Sequence, residues 1–341
     1  MVIYVGVDLG TSTIKISCGN VSMAIPSIIG ETNPGWTGGT MDQTLESNLV
    51  IVEGSEEFYI GELARTQSEV QRALAADGQM KSAEETFMAM KAALALLLDK
   101  DGEEIVVATG VPVATSLEVM KNLSRMLKGE IEIHVRNDAT SEDKKITLNI
   151  LKALVLPEPY GTYYSTLKKR GEEEAVDTVL IDIGHGSTDI LTMYQGRPMR
   201  TASGSMREAT DTLTSRMAAK LQEKTNLIVK PFALMNVIRR QKDTVMLGGQ
   251  TYSIKSIKEF YSAQIAKVMV DEVMRLISTL PPDAYVEYYI ICGGGAYSFG
   301  DAIRQAIIDG KLVASAENVI IPEDPVMSNA NGFELIAQSQ K

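Results

Sequence analysis

An apolar run that ends in Asp-x-Gly, turns through small residues and restarts as a second apolar run occurs twice in this chain, once near the start of each half. The first copy is Val5-Gly6-Val7-Asp8-Leu9-Gly10-Thr11-Ser12-Thr13-Ile14-Lys15, and the second is Thr178-Val179-Leu180-Ile181-Asp182-Ile183-Gly184-His185-Gly186-Ser187-Thr188-Asp189-Ile190. Each reads as a hairpin whose tip can wrap an anion. Gly10 lets the backbone approach a ligand closely, while Thr11, Ser12 and Thr13 supply hydroxyls and backbone N–H groups that converge on phosphate oxygens. Asp8, at the strand end, would face the metal that accompanies those phosphates. A single turn of this kind is also ordinary hairpin chemistry. Two of them predict a phosphate clamp with pseudo-twofold symmetry.

A third glycine cluster, Ile290-Ile291-Cys292-Gly293-Gly294-Gly295-Ala296, runs from a buried-type strand into a helix-like stretch from Asp301. Backbone without side chains suits a flat base and ribose lying on a strand-to-helix turn.

At 341 residues the chain is long enough for two domains, and 45% hydrophobic with 23% charged residues is the composition of a soluble globular protein. A net charge of -11 disfavours direct binding to DNA or anionic lipid. Cys18 and Cys292 lie in apolar strand patterns without metal-ligand spacing, which fits a reducing compartment. The N-terminus enters a strand directly, so no signal peptide is expected. The longest apolar run, Ala92 to Leu98, is too short to span a membrane. These features predict a cytoplasmic protein.

After the first hairpin, Ile14 to Cys18 and Ser22 to Ile29 read as antiparallel strands, the second broken by Pro26. Residues 33–39 read as a loop whose Trp36 is a packing residue or a contact surface. Val50 to Glu53 and Glu57 to Ile60 form a hairpin; Glu62 to Ala76 and Ser82 to Asp99 read as helices, the latter with a Ser82/Glu85 capping box. Glu104 to Ala108 reads as a strand that ends in Ala108-Thr109-Gly110-Val111-Pro112, a glycine turn followed by a proline-started segment. Ser116 to Leu127 is then helical, Ile131 to Val135 and Lys145 to Ile150 are strands, and Ala153 to Leu156 leads into Pro157-Glu158-Pro159. Lys168 to Glu174 reads as a charged linker. Arg207 to Thr225 and Lys230 to Gln241 read as helices and Val245 to Ile254 as a hairpin. Ser256 to Leu280 reads as a long helix with Phe260, Ile265, Val268, Val273 and Ile277 on its apolar face. A helix over Ala302 to Ile308, a strand over Asn318 to Ile321 and a final helix led in by Pro325 to Leu335 complete the chain.

The two hairpins and the triple glycine, in this order and spacing, resemble the phosphate-1, phosphate-2 and adenosine motifs of the actin, Hsp70 and sugar-kinase ATPase superfamily. Ala108-Thr109-Gly110-Val111-Pro112 looks like the ParM/StbA-like plasmid-segregation actins and their archaeal relatives. The resemblance covers nearly the whole chain. It implies an α/β, actin-like (ribonuclease H-like) two-domain fold with a nucleotide cleft between the halves. Residues 1–160 plus 325–341 would form domain I and 161–324 domain II. It also implies ATP or ADP and Mg2+ as cofactors, with the nucleotide held by Asp8, Gly10, Thr11, Ser12, Thr13, Lys15, Gly184, Gly186, Ser187, Thr188, Gly293, Gly294, Gly295 and Ala296.

Asp8 and Asp182 would hold the metal through water, with Asp182 also catalytic. By its position alone Glu158 reads as a solvated first-turn helix acid; the resemblance implies that it is catalytic, since such proteins present a Pro-Glu or Pro-Gln side chain there to the terminal phosphate. His185 replaces a glycine usual in the family's second turn and reads as an exposed turn residue. The implied activity is ATP hydrolysis coupled to assembly and disassembly of a filament of the chain itself, for DNA segregation or cytoskeletal positioning, with a separate DNA-binding adaptor. A non-filamentous relative, such as a small-molecule kinase or a chaperone-type ATPase, is the alternative.

Overall fold

A computed structural model describes residues 2–33, 42–74, 82–170 and 176–340. Trp36 and most of its loop lie outside these residues. The chain divides into two compact units, Met1–Ser165 with Asn329–Lys341, and Thr166–Ser328, so the first unit is closed by the end of the chain.

The first unit is built on β1 (Ile3–Leu9), β2 (Thr13–Cys18), β3 (Val21–Pro26), β4 (Ile28–Glu31), β5 (Leu49–Glu53), β6 (Glu56–Ile60), β7 (Gln71–Ala73), β8 (Glu104–Val111), β9 (Gly129–Asn137) and β10 (Glu142–Pro157). These form one sheet in the order β3-β2-β1-β8-β10-β9-β5-β6-β4-β7. Its helices are α1 (Glu62–Gln67), α2 (Ala83–Leu97), α3 (Leu117–Leu127), α4 (Tyr160–Arg170), which runs across the unit boundary, and α9 (Ser328–Gln338).

Alternation along β1 divides the sheet's faces. Val5, Val7 and Leu9 join Ile105 and Val107 of β8 in the core under α2, whose Ser82/Glu85 capping box is present. The opposite face receives α9, whose Phe333, Ile336 and Ala337 pack on Val106 and Ala108 with Tyr4 and Tyr160 beside them. Glu334 of α9 is buried and accepts hydrogen bonds from Ser17 Oγ (2.5 Å), the Gly19 N–H (2.8 Å) and Gln338 Nε2 (2.7 Å), so its carboxylate is satisfied where burial would otherwise be costly. α4 and α9 approach backbone to backbone: a Cβ on Gly332 would collide with the Gly161 carbonyl, and one on Gly161 with Asn329.

The second unit repeats the plan with β11 (Thr178–Ile183), β12 (Thr188–Tyr194), β13 (Arg197–Pro198), β14 (Gly204–Met206), β17 (Tyr288–Cys292) and β18 (Val319–Ile320). The order is β13-β12-β11-β17-β18, with β14 also on β12. β1 pairs antiparallel with β2 and parallel with β8; β11 pairs antiparallel with β12 and parallel with β17. Thus each Asp-x-Gly strand has the same neighbours. α5 (Thr210–Thr225), α6 (Pro231–Arg239), α7 (Lys255–Ile277) and α8 (Ala296–Asp309) complete the unit with a separate hairpin, β15 (Thr244–Leu247) and β16 (Gln250–Ser253).

Several expected elements differ. The helix from Glu62 stops at Gln67 because Ser68 turns extended and its hydroxyl donates to the Glu31 carbonyl (2.9 Å), after which β7 pairs with β4. Ala75 and Ala76 lie outside the described residues. Thr109, Gly110 and Val111 belong to β8, since parallel pairing with Val155, Leu156 and Pro157 carries the strand on. The strand expected over Lys145 to Ile150 spans 142–157, continuing past a register shift between Ile150 and Lys152.

The charged stretch from Lys168 is helical to Arg170, and 171–174 lie outside the described residues. The helix expected from Arg207 begins at Thr210, and α8 starts at Ala296. On α7, Phe260 and Val268 are 57% and 45% exposed, whereas Ile257, Ile265, Met269, Val273 and Leu276 are buried. Phe260 lies five residues from Ile265, roughly 140° around the helix, and so off the buried stripe.

Candidate functional site

In the first unit, Asp8 and Lys15 are cross-strand partners at the end of the β1–β2 hairpin. Lys15 Nζ lies 2.7 Å from Asp8 Oδ2, and Asp8 is only 3% exposed. A cation therefore offsets the cost of burying this carboxylate. Asp8 shares with Gly6 the sheet face that meets α9, by the two-residue period of a strand. Gly10, Thr11 and Thr13 are half-buried and Ser12 is exposed, with the Ser12 and Thr13 hydroxyls 3.4 Å apart. The tip thus presents hydroxyls beside the Asp8–Lys15 pair.

Glu158 sits between β10 and α4, ahead of the helix rather than in its first turn. Its N–H donates to the Val111 carbonyl (2.8 Å). A Cβ on Gly110 would lie 2.8 Å from Glu158 Cγ and 2.9 Å from Phe333 Cζ. Gly110 is the residue that makes room for Glu158 beside the α9 aromatic ring.

In the second unit, Asp182 has Asp189 as its partner on β12 and Cys292 as its partner on β17. Asp189 is buried and accepts a hydrogen bond from Ser205 Oγ. Gly293, at φ +78°, lies where a Cβ would collide with Asp182 Oδ1, and a Cβ on Gly295 would enter the Ile183 side chain. These two glycines let the start of α8 close against the end of β11; around Gly294 the space is open. Ala296 is buried as the first residue of α8.

The turn of the second hairpin is anchored by α5. Thr210 Oγ1 and the Asp211 N–H donate to the carbonyls of Gly184 and His185 at 2.9 Å each. Gly186 and Ser187 are half-buried, whereas Thr188 is fully buried and its hydroxyl is committed to the Glu208 carbonyl at 2.7 Å. His185, expected to be exposed, is half-buried, and its Nδ1 is buried without a hydrogen-bond partner. Docking of α5 on the turn accounts for the difference.

Sequence reasoning did not single out Asp189 or the supporting role of Gly110. The signal for Asp189 was present: it follows Asp182 by seven residues, the spacing from Asp8 to Lys15, and a hairpin of that length places the two ends opposite each other.

The resemblance noted in the sequence carries the expectation of a magnesium ion bound with the nucleotide. Among the described residues no three His, Cys, Asp or Glu side chains gather into a metal cage. Carboxylates at strand ends are hard oxygen donors, and Mg2+ is commonly held by one or two carboxylates with retained waters and substrate phosphates. Asp8 in the first unit and Asp182 in the second are each a strand-end carboxylate of this kind. Cys18 is no ligand of this kind, as burial, with Glu334 and Glu103 adding to it, raises its thiol pKa.

Residues 6–161 match the model of the actin-like proteins N-terminal domain, and residues 180–305 that of the archaeal actin homologue MreB-like C-terminal domain. No curated protein matches the sequence. Among solved structures, the archaeal actin homologue Ta0583 in complex with ADP superposes with a TM-score of 0.76 at 20% identity over 99% of each chain. A 15-stranded ParM filament from Clostridium botulinum gives 0.76 at 17% over 99% of each chain. Bacillus thuringiensis ParM with AMPPNP gives 0.70 at 17% over 99% of each chain. At these identities the structures show a shared two-domain α/β fold, and with both domain models matched the chain belongs to the actin-like proteins.

Proposed function

We propose that this chain is an ATPase that binds Mg-ATP and couples its hydrolysis to assembly and disassembly of a filament of its own copies. The observation that carries the reading is the repetition of one hairpin on the same sheet plan, ending in Asp8 in one unit and Asp182 in the other. In this reading Gly10, Thr11, Ser12 and Thr13 take phosphate oxygens by backbone and hydroxyl groups, and Gly184, Gly186 and Ser187 do the same from the second turn. Thr188 acts by holding that turn, since its hydroxyl is engaged by Glu208. Gly293, Gly294, Gly295 and Ala296 form the strand-to-helix turn for the adenosine.

Lys15, paired with Asp8 at 2.7 Å, would neutralise a phosphate oxygen of the bound nucleotide. Asp8 and Asp182 would hold Mg2+ through water, and the ion would supply charge neutralisation on the phosphates. Glu158, set by Gly110 and Phe333, orients the attacking water and accepts its proton, so catalysis is positioning plus electrostatics. The ADP- and AMPPNP-bound relatives and the ParM filament support the nucleotide and filament parts of this reading. A DNA-segregating or positioning role would engage cargo through a separate DNA-binding adaptor, in the cytoplasm, where Cys18 and Cys292 stay free thiols.

The test is calorimetry of ATP and ADP with Mg2+ together with light scattering of the same samples. Tight Mg-dependent binding, followed by scattering that rises with ATP and decays as phosphate is released, is expected. Scattering that is equal with ATP, ADP and no nucleotide would count against the coupling.

A further inference from the structure

The hairpin that carries Asp182 lacks the cation of its counterpart. Lys15 of β2 is the partner of Asp8, whereas the equivalent position on β12 holds Asp189, the partner of Asp182. Between Asp182 and Asp189, His185 is the one side chain that contains nitrogen. It stands where the family usually has glycine, and so no side chain at all.

Three carbonyls of this turn are already engaged. Those of Gly184 and His185 accept from Thr210 Oγ1 and the Asp211 N–H of α5, and that of Ser187 accepts from the Gly184 N–H, each at 2.9 Å. A trans peptide carries its C=O and N–H on opposite sides, and no peptide bond among the described residues is cis. The N–H groups of His185 and Gly186 share peptide planes with the two carbonyls held by α5, so both point away from that helix. Neither has a hydrogen-bond partner among the described residues.

The imidazole adds a third donor. Nδ1 is buried without a partner, whereas Nε2, also without a protein partner, reaches the surface of the half-buried ring. A neutral imidazole has one N–H to place. On Nδ1 it would be a buried donor with no acceptor, and the positive end of α5, docked on this turn, favours a bare lone pair there. The proton therefore sits on Nε2, on the open side.

We infer that His185 Nε2 donates a hydrogen bond to a phosphate oxygen of the bound nucleotide, alongside the N–H groups of His185 and Gly186. A turn with its carbonyls engaged and three donors open takes an anion. The inference rests on the nucleotide reading above and adds a contact that glycine at this position could not make. It gives the second hairpin a side-chain donor where the first has Lys15.

Calorimetry of the full chain with Mg-ATP tests the contact on two variants. His185→Phe keeps a ring in place without the donor, and His185→Gln keeps an amide N–H at a similar reach. Mg-ATP affinity is expected to fall by about tenfold or more in His185→Phe and to stay within about threefold of wild type in His185→Gln, with both circular-dichroism melts unchanged. The chain has two histidines, so imidazole 15N spectra of the His134→Gln variant report on His185 alone. A proton on Nε2 in the free protein, and a shift of that nitrogen on adding Mg-AMPPNP, are expected. His185→Phe binding Mg-ATP as tightly as wild type, or a proton on Nδ1 that Mg-AMPPNP leaves unmoved, would overturn the contact and leave the nucleotide reading standing. Equal loss of affinity in both variants would also overturn it, since the donor would then not be what binding uses. Wild type that binds no Mg-ATP would overturn the contact and the nucleotide reading together.

Discussion

Glu158 rests against the bare Cα of Gly110: a methyl group there would stand 2.8 Å from Glu158 Cγ and 3.0 Å from its Cα. The glycine of the Ala-Thr-Gly-Val-Pro run therefore serves the carboxylate that leads into α4. Because a positioned base contributes chiefly in the transition state, Glu158→Ala should leave ATP affinity and assembly intact and slow hydrolysis on the order of 10²–10⁴-fold. Filaments of that variant should outlive those of wild type. Phosphate release at the wild-type rate would leave Glu158 only a connecting residue between β10 and α4.

Gly110→Ala tests the same relationship from the other side. The added methyl must displace Glu158 or Phe333, so hydrolysis should fall by tenfold or more while Mg-ATP binding changes by less than about threefold, as a small misplacement of a catalytic group is costly. Single-turnover kinetics beside calorimetry separates the two effects, and unchanged turnover would show that Glu158 needs no such support.

Asp8 and Asp182 are expected to act in the ground state. Asp8→Ala should abolish the Mg2+ dependence of ATP binding, and it also leaves Lys15 without its partner at 2.7 Å. Asp182→Ala should weaken binding and hydrolysis together, in contrast to Glu158→Ala. Calorimetry with and without Mg2+ is decisive, and wild-type Mg-ATP affinity in either variant would remove that residue from the metal's surroundings.

Gly332→Ala should destabilise the first unit through packing alone. Its Cβ would collide with the Gly161 backbone, which cannot rotate away as a side chain could, so a loss of about 1–3 kcal/mol or more is expected. Urea unfolding measures it, and a midpoint equal to that of wild type would mean that α4 and α9 can separate at little cost.

The repeated Asp-x-Gly hairpins, the capping box of α2 and the strand-to-glycine runs were legible in the sequence because they depend on local periodicity and turn chemistry. Phe260 was not, since the angular position of α7's buried stripe is set by the elements packed against it, and those lie far away in the chain. The short α1 had the same cause: Ser68 is held by the Glu31 carbonyl, and β4 offers β7 an edge to pair with. The site divides in the same way. Sequence alone placed Asp8, Lys15 and Asp182 at hairpin ends, because a strand followed by a small-residue turn dictates that much. Only the tertiary structure set Gly110 under Glu158 and Gly293 against the Asp182 carboxylate, because each depends on backbone approach between segments that no local pattern encodes.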